Sequence, residues 1–517
     1  MNSRALEVVV LCASLVAIGL AYLRWLRVAQ REHYLAGSTT KFARRWWLAG
    51  AINQVAFFAA VVGAVISAWY AVAAFMPVLV AVMGPFGFGL RGRTSKLAWT
   101  GRLRRLATTS AIVLAIVLGV AGIFGLHPAL TAGAMAAVAA PVLVDVALAL
   151  ARPVESRLLA PYVAKASKRL TAVSPRVVAI TGSYGKTTTK GYVAHLVGAT
   201  FSVVASPASF NNTAGLARAV NEHLGSGTGV FVAEMGTYGQ GEIRDMCQWA
   251  RPEIAMITAI GPVHLERMGS LERIAEAKAE ILAGARVAIL NVDYPLLEEL
   301  AQKIEESGKS LWRCSCREPR ADVRVTVEEG KIHVLANHLE AEMDVFAHAS
   351  PEVEPGNVAC AVAAALSLGV PPEVVEARLG ALPVAPHRRN IGRNGSGAWV
   401  IDDTYNANPA GAASALALLA TLGDKDAKRV VVTPGMVELG VLQARENANF
   451  AARAGEVASE LCVVGRTNAR ALLAGARAAG LPARRARNRQ LAVGWAAAEL
   501  GDGDAVLYEN DLPDHYP

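Results

Sequence analysis

Apolar positions run in long, unbroken blocks over the first 150 residues and in short blocks of about four thereafter. Residues 6–23 are almost wholly apolar and are followed by Arg24, Arg27 and Arg31. A second block, 46–90, is long enough for two helices at about 20 residues per span, with a reversal near 67–70. Two more blocks, 106–124 and 128–150, are separated by Gly125-Leu126-His127. This pattern predicts a transmembrane region over 1–150, with about five helices, and an amphipathic linker helix over 151–174. Beyond that point the short blocks read as buried strands. They are Val177-Val178-Ala179-Ile180, Val430-Val431-Val432-Thr433, Leu461-Cys462-Val463-Val464 and Ala505-Val506-Leu507-Tyr508, the last three set between Ala-rich stretches. Strands alternating with helices predict parallel sheets. The expected fold is an α-helical membrane region followed by α/β, with a central domain over 175–385 and a C-terminal Rossmann-like domain over 386–517.

Composition supports the membrane portion. The chain is 53% hydrophobic and 18% charged, with a mean hydropathy of +0.33, too apolar for an ordinary soluble enzyme. The formal charge of +8 is unevenly placed: residues 1–170 hold 18 Lys and Arg against 4 Asp and Glu, and the remainder 33 against 39. The basic excess therefore sits beside apolar blocks, and nucleic acid is not among the expected partners. Lys41, Arg44 and Arg45 lie in the first loop, and Arg91, Arg93, Lys96, Arg102, Arg104 and Arg105 in the third. Arg152, Arg157, Lys165, Lys168 and Arg169 follow the last block, while the second and fourth connections carry no Lys or Arg. The alternation predicts a multi-pass protein of the plasma membrane, embedded in the lipid bilayer, with its N-terminus outside and everything after residue 150 in the cytoplasm. A cleaved signal peptide would carry its basic residues first and end in a small-residue cleavage site, whereas this block is followed by Arg24, Arg27 and Arg31.

Asp145 is an ionisable group inside an apolar block. It is either a functional residue or a carboxylate reaching the headgroup region. The six cysteines are scattered and read as free thiols; Cys314 and Cys316 have no further zinc ligands at suitable spacing.

The chemistry begins where the first short strand ends. Val177-Val178-Ala179-Ile180 runs into Thr181-Gly182-Ser183-Tyr184-Gly185-Lys186-Thr187-Thr188-Thr189. Glycines let backbone N–H groups turn towards phosphate oxygens, and a helix N-terminus adds positive potential. Lys186 reaches the β- and γ-phosphates in such a loop, and the Thr187 hydroxyl reaches Mg²⁺. Strand, loop and helix follow in the order a phosphate-binding loop requires. The usual pattern places its first Gly six residues before the Lys; here that position is Ile180, so the loop is the shorter G-x-x-G-K-T.

That short form, preceded by Thr181, resembles the Mur ligase and folylpolyglutamate synthase superfamily. The resemblance covers about residues 175–510 and continues in order. Phe210-Asn211-Asn212-Thr213 is similar to the family's Asn segment, and Val232-Ala233-Glu234-Met235-Gly236 to its metal-binding Glu strand. Ile257 to Glu266 is similar to the loop with the metal-contacting His264. Ala277-Lys278-Ala279-Glu280-Ile281 is similar to the carbamylated-Lys segment, and Leu290-Asn291-Val292-Asp293 to the segment that meets adenine. Asp402-Asp403-Thr404-Tyr405-Asn406-Ala407-Asn408-Pro409 resembles the members that add D-alanyl-D-alanine to a muramoyl tripeptide.

The resemblance implies the following roles. Gly182, Ser183, Tyr184, Gly185, Lys186, Thr187, Thr188, Asn291, Arg388, Arg389 and Asp403 bind ATP. Thr187 and Glu234 hold one Mg²⁺, and His264 with a carbamate on Lys278 holds a second. Lys186, Lys278, His264 and Arg389 serve catalysis, while Asn211, Asn212, Tyr405, Asn406 and Asn408 meet substrate. The implied activity is ATP-dependent amide ligation through an acyl phosphate. An amino acid or dipeptide amine would be joined to a peptidoglycan-type carboxylate, with a lipid-linked acceptor open beside a UDP-linked one. A poly-γ-glutamate synthase-like polymer ligase and a non-catalytic nucleotide-binding membrane scaffold remain as alternatives.

Three departures mark this chain. Membrane blocks stand where the precursor ligases have a domain for the UDP sugar. In Pro355-Gly356-Asn357-Val358-Ala359-Cys360, Gly356 replaces the family's His and Cys360 its second Asn. Thr433 to Gly440 keeps only the end of G-D-M-x-E-L-G, and the segment after Tyr508 lacks the Lys-Gly-Ser. An acidic pocket there would suit a cationic amine.

Overall fold

The computed structural model describes residues 3–92, 96–207, 210–328, 330–338, 341–348, 353–383, 390–404, 407–424, 426–512 and 515–516. The chain divides into two compact units, Met1–Leu158 with Leu512–Pro517, and Leu159–Asp511.

The first unit is helical. Its helices are Ser3–Arg31, Ser38–Leu48, Ala51–Ile66, Phe75–Met83, Gly101–Ile123, Leu126–Val138 and the first half of Ala140–Val173. Two of them, Arg4–Arg31 and Gly101–Ile123, are long and apolar enough to cross a membrane, and up to four spans result if each of two bent pairs counts as one. This differs from the five expected helices in two places. The block 128–150 is broken by an 84° bend at Ala139. Pro141 accounts for the break: it has no N–H to continue the helical ladder and is tolerated in the first turn of the next helix. The block 46–90 does reverse after Ile66, but the helix that follows, Phe75–Met83, has 9 residues and is roughly 14 Å long, too short to span. Val16, Ile52, Phe58, Ile112, Ile116 and Ile123 point outward, while Ile18, Trp25, Phe42, Leu103 and Val144 fill the interior.

Asp145 has a structural task. Its carboxylate accepts the backbone N–H groups of Thr40 at 2.8 Å and Thr39 at 3.3 Å. It thus closes the open N-terminus of Ser38–Leu48, whose first N–H groups have no partners within the helix. Near it, Thr39 Oγ1 donates to Pro141 O at 2.6 Å. In the same unit Trp46 Nε1 donates to His515 O at 2.8 Å, and His515 Nε2 lies 3.1 Å from Glu32 Oε1.

The second unit holds two sheets. Strands β1 (Arg176–Thr181), β2 (Val203–Ala205), β3 (Val230–Glu234), β4 (Ile254–Ile257), β5 (Val287–Asn291), β6 (Ser310–Ser315), β7 (Val323–Glu328), β8 (Lys331–His338) and β9 (Ala341–His348) form one sheet, ordered β2-β3-β1-β4-β5-β6-β7-β8-β9. It is parallel through β7 and antiparallel from β7 to β9. Alternation puts Val177 and Ala179 in one apolar layer and Val178 and Ile180 in the other, so β1 is covered on both faces.

The remaining strands are β10 (Asn390–Arg393), β11 (Trp399–Asp403), β12 (Arg429–Thr433), β13 (Glu460–Val464), β14 (Ala483–Ala486) and β15 (Ala505–Glu509). They form a sheet ordered β10-β11-β15-β12-β13-β14, parallel except at β10. Because β15 inserts between β11 and β12, their C-terminal residues Asp403, Glu509 and Thr433 come to one edge. Such a reversal of strand order is where open α/β sheets form ligand crevices. None of the six cysteines forms a disulfide.

Candidate active site

The phosphate loop is shaped by its glycines. Gly185 has φ +79°, and a Cβ there would lie 2.3 Å from Asn357 Oδ1. A Cβ on Gly182 would lie 2.1 Å from Thr258 Oγ1. Ser183 is tied down: its N–H donates to Ala259 O at 2.8 Å and its hydroxyl to Gly261 O at 3.1 Å. Lys186 opens the helix Lys186–Val197, and its ammonium turns back to Gly182 O at 2.7 Å.

Three side chains converge on one carboxylate. Glu234 ends β3, is buried, and sits beside β1 in parallel register. Its Oε2 accepts from Thr187 Oγ1 at 3.0 Å and from Lys190 Nζ at 2.9 Å, and its Oε1 from Asn211 Nδ2 at 3.2 Å. Ser206 Oγ accepts from the Glu234 backbone N–H. Burial pushes the Glu234 carboxyl up, but the charge of Lys190 and its hydrogen bond, with Lys186 and Asn211, hold it below its ordinary value. Asn212, next to Asn211, caps the helix Thr213–His223 by accepting from Gly215 N at 2.9 Å.

His264 has a left-handed backbone, φ 58°, which starts the short helix Leu265–Met268. Its Nδ1 meets Glu438 Oε2, and Arg267 Nη2 lies 3.2 Å from Glu438 Oε1. Tyr238 packs edge-on against the imidazole. Burial draws the His264 pKa down, against the pull of Glu438, and Lys278 is near enough to lower it further. Lys278 is buried in the helix Leu271–Ala279 and, among the described residues, has no hydrogen-bond or ion-pair partner. Burial, with the like charge of Lys186, pushes its pKa far down, which favours the neutral amine.

A cavity of about 420 Å³ adjoins the loop, lined among others by Tyr184, Asn291, Asn357, Asp403 and Asn408. Gly356 leaves room for Asn291: a Cβ there would lie 2.7 Å from Asn291 Nδ2. Asn408 lines the cavity while its Oδ1 caps the helix Pro409–Thr421 through Gly411 N at 2.9 Å. Arg388, Arg389, Tyr405 and Asn406 lie outside the described residues.

A nucleotide-borne magnesium ion needs few protein ligands, since phosphates and waters supply the rest. Among the described residues no group of three or more His, Cys, Asp and Glu converges. The smaller set that does assemble, the Glu234 carboxylate with the Thr187 hydroxyl beside the loop, fits such an ion. An unpartnered buried amine at Lys278 near the imidazole of His264 fits a second ligand pair once the amine is carbamylated.

Lys190 and Glu438 were not singled out from the sequence. Lys190 had one available signal, its place four residues after Lys186 on the same helix face. Glu438 had another, the retained M-x-E-L-G ending.

The Mur ligase middle domain model matches residues 180–365, and the Mur ligase, glutamate ligase domain model matches residues 387–508. The UDP-N-acetylmuramoyl-tripeptide--D-alanyl-D-alanine ligase of Bacillus subtilis (strain 168) is 32% identical over 277 residues, which are 53% of this chain and 59% of that protein. This chain thus spans less than two thirds of that relative's length. Among solved structures, MurF from Acinetobacter baumannii superposes with TM-score 0.59 at 24% identity, covering 68% of this chain and 77% of that one. MurF from Thermotoga maritima in complex with ADP gives 0.56 at 23%, covering 68% and 80%. Both likenesses are of fold. The middle and C-terminal matches together take in most of the second unit, and the chain belongs to the Mur ligase family.

Proposed function

We propose that this chain is a membrane-attached, ATP-dependent amide ligase that joins an amino acid or dipeptide to a peptidoglycan-type carboxylate through an acyl phosphate. Lys278 carries the reading. A buried amine with no counter-ion among the described residues, close enough to Lys186 to feel its charge, has no structural reason to be a lysine. As a neutral amine it can attack CO₂, lose a proton and become a carbamate, which turns a repelled cation into a carboxylate-like ligand.

Lys186, now on Gly182 O, would shift to phosphate oxygens. Thr187 and Glu234 would hold one Mg²⁺, and His264 with carbamylated Lys278 a second; the ions supply charge neutralisation during phosphoryl transfer. A substrate carboxylate oxygen attacks the γ-phosphorus and ADP leaves. The amine then attacks the acyl carbon, and phosphate departs with the former carboxylate oxygen. Asn291 and Asp403 line the cavity proposed for the adenosine part of ATP.

The outward apolar faces of the helical unit and the basic loops support a multi-pass membrane protein with cytoplasmic catalytic domains. That placement leaves both UDP-linked and lipid-linked acceptors within reach. The test is to incubate detergent-solubilised protein with ATP, Mg²⁺, pooled amino acids and dipeptides, and either UDP-linked precursors or a membrane lipid extract. New amides by mass spectrometry, with matching ADP, are expected. ADP release that no acceptor stimulates would overturn the reading.

A further inference from the structure

Lys190 has no part in the chemistry just described, yet it makes the shortest contact to Glu234, 2.9 Å, with side-chain exposures of 8% and 3%. It stands one helical turn after Lys186, where two like charges on one helix face repel. The arrangement persists because each ammonium has its own acceptor: Gly182 O for Lys186 and Glu234 for Lys190. Both carboxylate oxygens of Glu234 are then occupied, Oε2 by Lys190 and Thr187, Oε1 by Asn211.

We propose that Lys190 is a stand-in cation, which holds Glu234 in the nucleotide-free protein and keeps a divalent ion off that carboxylate until a nucleoside triphosphate brings one. The proposal rests on the ligase reading only in taking Glu234 as an ion ligand. Without nucleotide, an arriving ion would have to displace a buried ammonium and settle near Lys186 with one carboxylate to hold it. A triphosphate reverses both terms, because its oxygens ligate the ion and its negative charge offsets the lysines. Lys190 would thereby impose an order of arrival: the ion enters with the nucleotide and not before it. It is a positioning residue acting through Glu234. Removing its charge leaves a buried carboxylate without its hydrogen-bonded counter-ion, which raises the affinity of that carboxylate for a free cation.

The experiment measures Mn²⁺ binding to the full-length protein in detergent, by electron paramagnetic resonance of the unbound ion, with and without ATP. Lys190→Met and Lys190→Gln should bind one Mn²⁺ without nucleotide about tenfold or more tightly than the unmodified protein. Lys190→Arg should behave like the unmodified protein. The glutamine variant keeps a hydrogen-bond donor against Glu234 and decides the matter if the methionine variant does not fold. A merely structural lysine predicts unchanged or weaker binding in folded variants, and that result overturns the stand-in role while leaving the ligase reading intact. If the unmodified protein retains no Mn²⁺ even with ATP, Glu234 is not an ion ligand and both readings fall.

Discussion

His264 and Glu438, 174 positions apart, meet through the imidazole Nδ1 and a carboxylate oxygen, and each has a left-handed backbone at φ 58° and φ 63°. Non-glycine residues held in this region cost about 1–3 kcal/mol and persist where surroundings over-determine them. Here the surroundings are visible. Glu266 N donates to Glu438 O, and Arg267 shares the carboxylate. Asn447 and Asn468 hold the loop's backbone at Pro434 and Met436. The contact joins the central to the C-terminal Mur ligase domain and leaves the other imidazole nitrogen, Nε2, for the ion proposed at His264. A carboxylate on the far nitrogen of a metal-binding His typically contributes 10–100-fold. Glu438→Gln should therefore lower acceptor-dependent ADP release by about 10–100-fold, read from steady-state rates at saturating ATP. An unchanged rate would reduce the contact to packing.

The glycines around the cavity proposed for the nucleotide make sharper demands than their motif positions suggest. Gly185→Ala places a methyl group 2.3 Å from Asn357 Oδ1 on a left-handed backbone. It should cost about 1–3 kcal/mol and abolish measurable nucleotide binding. Gly356→His restores the family's usual residue, yet its Cβ would lie 2.7 Å from Asn291 Nδ2 and push that amide out of the cavity. We expect weaker nucleotide binding by fluorescence titration, with Asn291→Ala giving a loss of similar size. Tighter binding in the histidine variant would show that Asn291 does not meet the nucleotide.

What the sequence made legible was local. The phosphate loop could be read because its strand, its glycines and its helix lie within a dozen residues, and each has a local backbone reason to be there. The buried strands β1, β12, β13 and β15 were readable from four-residue apolar runs. The edge strands β10 and β14 were not, because Asn390–Arg393 has a single large apolar residue, Ile391, Ala483–Ala486 has none, and each pairs on one side only. The bend at Ala139 was hidden by hydropathy, which Pro141 does not interrupt. The pairings of Lys190 with Glu234 and of Glu438 with His264 were unreadable for another reason: the partners lie 44 and 174 positions away, and no periodicity carries that information.

Asp145 illustrates how a charge in an apolar block can be structural. It closes the N-terminus of Ser38–Leu48 through Thr39 and Thr40. Loss of such a cap costs about 1–2 kcal/mol. Asp145→Ala should lower the unfolding temperature of the detergent-solubilised protein while ATP affinity stays unchanged. Lost activity at an unchanged unfolding temperature would instead make Asp145 a functional group.

Glu509 should set the pH dependence of stability in the C-terminal domain. It is fully buried at the end of β15; Thr433 Oγ1 donates to its Oε2, and among the described residues its Oε1 has no hydrogen-bond partner. Burial, with the nearby charge of Asp403, pushes its carboxyl up from 4.5 to about 8, more than the Thr433 hydrogen bond offsets. Below about pH 4.5 the folded and unfolded chains both hold the proton, and Glu509 has no differential effect. Between about pH 4.5 and 8 the unfolded chain has released it and the folded chain has not, so stability falls as pH rises. Above about 8 the loss is complete, at up to about 5 kcal/mol for a shift of this size. Glutamine mimics the neutral acid and cannot ionise. Glu509→Gln should therefore match the unmodified protein near pH 4.5 and unfold several degrees higher at about pH 8.5, in thermal scans across the range. A difference that does not grow with pH would mean that Glu509 is ionised in the folded protein, held by a counter-charge.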